Sequence, residues 1–296
     1  LQSEAVGDAG TGGLTKRGPG RLTLSAVNTY SGGTFLKDGG LTISADDNLG
    51  FLTGDLSISN GATLGSTANL ILSSTRQILL GLPGGEIQPD GSTVSAIIDV
   101  AAGTTADVRS RILGTNDNGM ARLMKTGAGL LFLNNLSFNN AFSGGIYLHA
   151  GMTKTAPGPQ FGDSILTQDN GAGLISNQDR VFNSHSFIGS GGALRESGLG
   201  YTVHRNGPIR NVNDLVSFGG LTLQGDETAG DPSLNAGKVG LGGTNTFGGV
   251  GQAVVVNTNF TLAISQDANL GHIANRLILN SGILQVEHGA ASDGTN

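Results

Sequence analysis

Residues 14–24 read LTKRGPGRLTL, and residues 123–133 read LMKTGAGLLFL. Both fit L-x-K-x-G-x-G-x-L-x-L, at an offset of 109 residues. The sequence after each copy recurs as well. YSGGTFL from Tyr30 meets FSGGIYL from Phe142, and Leu49-Gly50 meets Phe161-Gly162, both at an offset of 112. A third, looser copy sets NTFGGV from Asn245 against NTYSGG from Asn28, and DANLG ending at Gly271 against DDNLG ending at Gly50. It continues with NRLILNSGILQ from Asn275 against GDLSISNGATL from Gly54, offset 221. Self-similarity at a fixed period marks a repeat architecture. The chain is expected to be a single segment, 1–296, of a longer chain, with internal units at 14–122, 123–238 and 239–296, the last one partial.

The period inside each unit is that of a strand. Leu22 and Leu24, Leu41 and Ile43, Leu56 and Ile58, Leu70 and Leu72, and Ile78 and Leu80 are apolar pairs at spacing two, the signature of a strand with one buried face. Between them stand Gly32-Gly33, Gly39-Gly40, Asn60-Gly61 and Gly84-Gly85, residues that turn a chain at positive φ. No stretch of ten residues carries an apolar stripe at period 3.6, so the chain reads as all-β. Asn-Gly also suits tight antiparallel hairpins. A sandwich, however, closes its core after a few strands and has no reason to restart its motifs. A solenoid does, because each coil buries its inward side chains only on the coils above and below. The expected fold is a parallel β-helix in which similar sequence recurs after whole turns. At roughly 20–25 residues per coil, the range of short-period solenoids, the chain would make roughly a dozen coils.

Composition excludes several classes. Of 296 residues, 51 are glycine, yet without a Gly-X-Y period, so collagen is excluded. The Leu, Ile and Val content excludes simple disorder. A net charge of −6 with no basic stripe argues against nucleic acid and against anionic membrane. With no cysteine, disulfide staples, metal thiolates and thiol nucleophiles are all absent. Nothing near Leu1 has the basic start and apolar run of a secretion signal, and the first residue is not Met, so the sequence reads as an excised or processed segment. No apolar run reaches the length of a spanning helix.

The motif series L-x-K-x-G-x-G-x-L-x-L, N-T-Y-S-G-G-T, an L-x-I pair and D-x-x-L-G resembles the passenger-associated repeat of bacterial autotransporters. The likeness is strong over 14–64 and 123–174 and partial over 239–288. Arg76-Gln77-Ile78 through Gly84-Gly85-Glu86-Ile87 resembles the pattern between repeats, while 175–238 diverges. The resemblance implies a right-handed parallel β-helix displayed at the bacterial surface, anchored in the outer membrane or released. It implies a membrane barrel elsewhere in the parent chain and no membrane insertion by this segment. It further implies a non-enzymatic structural or adhesive stalk. The partner classes left open are copies of itself stacked end to end in a filament or sheath, and host-surface or glycan ligands. The repeat turns to watch are Gly18, Gly20, Gly32, Gly33, Gly50, Gly127, Gly129, Gly144, Gly145, Gly162 and Gly271.

The chemistry-bearing residues each have a plain structural role as well. Asp163-Ser164 in FGDSIL lacks the following glycine of trypsin-like sites, and Phe161-Gly162 occupies a repeat turn, so a turn is expected there. His149, His185, His204, His272 and His288 make no H-x-H or H-x-x-x-H spacing, and neither metal nor cofactor is expected. Asp226, Glu227 and Asp231 in the 225–237 stretch match no calcium-loop spacing and read as a solvated loop. Asp46, Asp47 and Asp267 are expected to serve turn chemistry. Lys16 and Lys125 recur; each is expected to lay its stem over leucines while its ammonium reaches water, rather than to form a ligand ladder. Tyr30, Phe142, Phe247 and the neighbouring Tyr147 are expected to pack at corners. Loops at 82–93, 104–120 and 205–236 would carry binding specificity. The competing readings are a polysaccharide-binding or -cleaving β-helix of the lyase or tailspike kind, and a scaffold for a catalytic domain elsewhere in the chain. The first needs carboxylates paired on one groove; here the 22 acidic residues are scattered.

Overall fold

The computed structural model describes residues 11–88, 91–115, 120–137, 139–158, 160–161, 165–169, 172–176, 180–182, 184–188, 192–198, 202–205, 209–211, 221–224, 237–241, 250–258 and 260–286. The chain divides into two compact units, Leu1–Ile165 and Leu166–Asn296. Both are built of short strands that pair in parallel with strands one coil away. Among the described residues, helix is confined to single 3-10 turns at Asp46–Leu49 and Asp267–Leu270.

In the first unit three sheets form the sides of the coil. The first sheet stacks Leu14–Lys16, Thr34–Leu36, Leu56–Ile58, Gln77–Leu80 and Arg111–Gly114. The second stacks Arg21–Leu24, Gly40–Ile43, Ala62–Ser66, Ala96–Val100, Leu123–Thr126 and Ile146–Leu148. The third stacks Leu70–Leu72, Thr105–Val108, Leu130–Leu133 and Met152–Thr155. Each apolar pair at spacing two points inward. Register places like on like: Leu36, Ile58 and Leu80 form one column, Leu41, Leu64 and Ile98 another, and Leu72, Val108 and Leu133 a third. All nine side chains are buried. Removing one such side chain from water is worth about 1.5–3 kcal/mol, and this stacking of aliphatic columns is what replaces a globular core.

The second unit repeats the principle. Gly173–Ser176, Gly192–Gly198, Leu221–Gln224, Ala253–Val256 and Arg276–Leu279 pair in succession. So do Arg180–Phe182, Thr202–Arg205, Gly237–Leu241, Phe260–Ile264 and Ile283–Val286. Leu223, Val239, Val254, Val256, Phe260 and Leu262 are among the residues that form its core.

The fold is thus an all-β parallel solenoid whose coils are uneven in length. Leu14 pairs with Thr34 and Thr34 with Leu56, steps of 20 and 22 residues, but Gln77 pairs with Arg111, a step of 34. The excess is the excursion between Leu80 and Ala96, a loop as the sequence suggested. The stretch 104–120 differs from its expectation, because Thr105–Val108 and Arg111–Gly114 are core strands rather than loop. Within 205–236, Ile209–Asn211 and Leu221–Gln224 are likewise strands.

A second correction concerns the repeat itself. Its first copy runs from the first sheet, at Leu14–Lys16, to the second, at Arg21–Leu24. Its second copy runs from the second sheet, at Leu123–Thr126, to the third, at Leu130–Leu133. The motif therefore returns after four turns and one further side, not after whole turns. What repeats is a corner, and a corner serves any side of the coil.

Leu64 lies mid-column and is buried. Leu64→Ala is expected to cost about 2–5 kcal/mol, read as a lower urea midpoint at unchanged slope. A loss below about 1 kcal/mol would contradict continuous inward stacking.

Candidate functional site

A corner is where a β-coil leaves backbone groups that no strand partner satisfies, and an unpaired buried carbonyl costs about 1–3 kcal/mol. The two repeat copies solve this in the same way. Lys16 Nζ donates to the carbonyls of Arg17, Gly18 and, one coil on, Asp38 at 3.0, 2.6 and 3.1 Å. Lys125 Nζ donates to the equivalents Thr126, Gly127 and Ala150 at 2.7, 2.6 and 2.9 Å. The ammonium therefore does not reach water as expected: Lys125 is 0% and Lys16 9% exposed. Nor do the two lysines form a ladder. Lys125 stands in the second sheet between Ile98 and Leu148, whereas Lys16 belongs to the first. Each lysine locks a Gly-x-Gly turn to the turn stacked on it. That contact is close: a Cβ at Gly39 would lie 2.4 Å from the Gly18 carbonyl, and one at Gly151 would lie 2.6 Å from that of Gly127.

Burial pushes the Lys125 amine down to about 8, with the Asp99 carboxylate opposing. Its three carbonyl acceptors are served by the protonated form at neutral pH.

The next corner is held by asparagine. Asn28 Nδ2 donates to the Asn48 carbonyl at 2.6 Å, and its counterpart Asn140 donates to the Gln160 carbonyl at 2.9 Å. Asn48 in turn shapes the DDNLG turn, its Oδ1 accepting from the amides of Ser44 and Ala45, both at 3.0 Å. Asn269 does the same for DANLG with Ser265 and Gln266, at 2.9 and 3.0 Å. Turn chemistry thus accounts for this motif. Gly50 closes the turn at φ 81°, and a Cβ there would lie 2.7 Å from the Tyr30 ring.

Tyr30 and Phe142 are buried corner residues; Tyr147 is buried too, but in mid-strand, within Ile146–Leu148 beside Met124 rather than at a corner, and Phe247 lies outside the described residues. Between the copies, two substitutions go together. Tyr30 Oη lies 2.7 Å from Thr34 Oγ1, and Thr34 also donates to the Leu49 carbonyl at 3.2 Å. In the second copy Phe142 and Ile146 stand at these places. The buried hydroxyls are present as a pair or absent as a pair, so neither copy leaves one stranded.

One device has no counterpart in the repeat pattern. Arg76 is fully buried, its Nε 2.9 Å from Asp46 Oδ1, with its guanidinium donating to the carbonyls of Asp46, Leu49, Gly50 and Gly54. One cation thereby serves two carbonyls of the 3-10 turn and two just beyond it, and Asp46 provides the charge that makes its burial tolerable.

The remaining expected positions separate clearly. Gly18, Gly33, Gly50, Gly127, Gly145 and Gly271 have positive φ. Gly32, Gly129 and Gly144 instead sit where a Cβ would lie within 2.6 Å of a carbonyl oxygen of an adjoining coil, and Gly20 has open space. Gly162, Asp163, Ser164, Asp226, Glu227, Asp231 and His288 lie outside the described residues. The described residues bring no three His, Asp or Glu side chains together as a metal site, and none of their helices is long and apolar enough to cross a membrane. His149 and His272 are exposed.

Two comparisons bear on this repeated corner. Residues 14–43 and 123–152 match the passenger-associated transport repeat, and these ranges are the two clamped corners just described. The chain is also 27% identical over 304 aligned positions to the Adhesin BmaC autotransporter of Brucella suis biovar 1 (strain 1330). The chain thus carries two passenger-associated transport repeats and is similar to an autotransporter adhesin. The alignment covers 93% of this chain and 9% of that adhesin, so the chain spans a small part of its relative. No solved structure matches the chain.

Two measurements probe the corners. Thr34→Ile alone is expected to cost about 1–3 kcal/mol by stranding the Tyr30 hydroxyl, while Tyr30→Phe with Thr34→Ile recovers at least half of it. A double variant as weak as the sum of the singles would refute the pairing. For Lys125, a native value below the ordinary 10.5 means that the unfolded chain holds the proton longer. Stability contributed here is therefore lowest below about pH 8 and rises between about 8 and 10.5, by up to about 3 kcal/mol. Wild type compared with Lys125→Met in urea titrations should show that rise; a flat or falling difference would contradict it.

Proposed function

We propose that this segment is a non-enzymatic, surface-displayed adhesive shaft, a right-handed β-helix that spaces and presents binding surface away from the cell. The observation that carries the reading is the coincidence of the passenger-associated repeats with corners whose only chemistry is to lock one coil onto the next. Likeness to an autotransporter adhesin supports cell-surface display and adhesion; a barrel elsewhere in the parent chain would supply the outer-membrane anchor. Right-handedness follows from the general preference of parallel crossover connections. The single segment with units at 14–122, 123–238 and 239–296 is kept as part of the proposal.

Assembly of copies end to end into a filament or sheath is kept as part of the proposal.

The reading is tested with beads carrying the purified chain at fixed density, applied to epithelial cells and to an extracellular-matrix coat. Attachment several-fold above beads carrying an unrelated β-helix is the expected result. Background attachment, or release of reducing ends from polysaccharide substrates by the same preparation, would overturn it.

A further inference from the structure

Outside the corners, the first unit carries one built surface that neither the repeat nor the core explains. On the outer face of the second sheet, Arg21, Gly40, Thr63, Ile97 and Met124 form a single register column, one residue per coil. This column is the floor of a groove of about 1040 Å³. Four steps of about 4.8 Å make the floor about 19 Å long. One wall is the row of corners holding Asp38 and Asn60. The other features are the lip at Glu86, Ile87 and Gln88, and His149.

The lip is the excursion that lengthens the fourth coil, and it is pinned. Gly84 bridges Val94 in antiparallel fashion, Gln88 N donates to the Ser92 carbonyl at 2.7 Å, and Asn60 N donates to the Leu82 carbonyl at 3.0 Å. Arg21 is laid flat across the floor by two glycines. A Cβ at Gly40 would lie 3.3 Å from its side chain and one at Gly65 would lie 2.8 Å from its Nη1, which donates to Thr42 Oγ1 at 3.0 Å. The binding surface is therefore formed before any ligand arrives, which lowers the entropic cost of binding.

The chemistry of the lining selects the ligand. Among the described residues, four of the five floor strands are paired on both sides and only Arg21–Leu24 stands at the sheet edge, so over most of the groove a peptide cannot add as a strand. The lining holds one guanidinium and two carboxylates, Asp38 and Glu86, which disfavours a phosphate chain or any other polyanion. What remains is an apolar strip, Ile97 with Met124 and Ile87, flanked by carboxylate, amide, hydroxyl and guanidinium groups that both donate and accept. A sugar chain has the complementary pattern, with C–H faces edged by hydroxyls that also donate and accept.

We propose that this groove binds a neutral, linear oligosaccharide of a few residues laid along the coil axis. Glu86, Asp38, Asn60 and Arg21 engage its hydroxyls, and Ile97 with Met124 supports its C–H faces. The proposal deepens the adhesive reading above and rests on it for its biological purpose. The sugar chain could belong to a host-cell glycan or to a microbial or plant polysaccharide, and the groove chemistry is the same for both.

The test uses the purified 296-residue chain on a printed array of neutral host-type glycans, neutral glucan, mannan and galactan oligosaccharides, and anionic heparin and oligogalacturonate. Calorimetry with the strongest hit follows. Binding to a neutral series is expected, with the series bound naming the source. Glu86→Ala on the exposed lip, and Thr63→Trp filling the floor, are each expected to weaken it about tenfold or more, at melting temperatures close to wild type. Preference for the anionic series, binding that both variants leave intact, or no binding on the array would overturn the proposal. Bead attachment run in parallel separates the two readings. Attachment unchanged in the groove variants overturns the groove and leaves adhesion standing. Sugar binding lost in the variants, without attachment by wild type, supports the groove and removes adhesion.

Discussion

The carbonyl groups stranded at each corner are the constraint on which the rest of this structure depends. A strand in a parallel coil satisfies its own backbone through the coils above and below, but the turn that redirects it does not. Here buried side chains close the gap, both within a coil and between coils. Lys16 and Lys125 reach carbonyls in two successive turns, Asn28 and Asn140 hold the corner that follows, and Arg76 gathers carbonyls from Asp46 to Gly54. Stability is in this way made local to each corner and transmissible from coil to coil. That explains why the motif works on different sides of the coil, with its first copy on the first and second sheets and its second copy on the second and third.

Such a device suits a shaft. A globular core concentrates its cohesion at one centre, whereas the aliphatic columns and polar clamps here are spread along the axis, so each coil holds its neighbours by the same means. The buried lysines, asparagines and Arg76 are committed to the turns, and any recognition falls to the outer faces, to outward corner residues such as Asp38 and Asn60, and to the loops that interrupt the regular coil. The excursion between Leu80 and Ala96 is the clearest case, because it adds length to a coil without adding to the core.

Much of this was legible in the sequence, for identifiable reasons. The pairs at spacing two, from Leu22 and Leu24 to Ile78 and Leu80, marked inward residues because a strand has only two faces. The glycines of the repeat marked corners because several of those positions need positive φ, and others admit no Cβ. Coil length was less legible: the excursion between Leu80 and Ala96 adds residues to one coil without adding a turn. Thr105–Val108 and Arg111–Gly114 read as loop because Thr, Asp, Arg and Gly dilute their alternation, although Ala106, Val108 and Ile112 point inward. The role of lysine was misread because hydropathy treats its charge as a reason for exposure, whereas three carbonyls provide for it inside. Arg76 was visible only as part of the pattern between repeats, and nothing signalled its burial, since Ile188 stands at the matching position of the second copy; the paired change of Tyr30 and Thr34 to Phe142 and Ile146 was a signal available to inspection.

The claim that decides the account is parallel pairing between coils, as against hairpins across the Asn60-Gly61 turn. The chain contains no cysteine, so two introduced cysteines can form only one internal disulfide. Phe35 and Ser57 are register partners in adjacent strands of the first sheet, whereas Ser57 and Leu64 would face each other in a two-residue hairpin around Asn60-Gly61. Oxidation followed by non-reducing peptide mapping is expected to show the bond in the Phe35→Cys, Ser57→Cys variant and none in the Ser57→Cys, Leu64→Cys variant. The opposite result would contradict the solenoid.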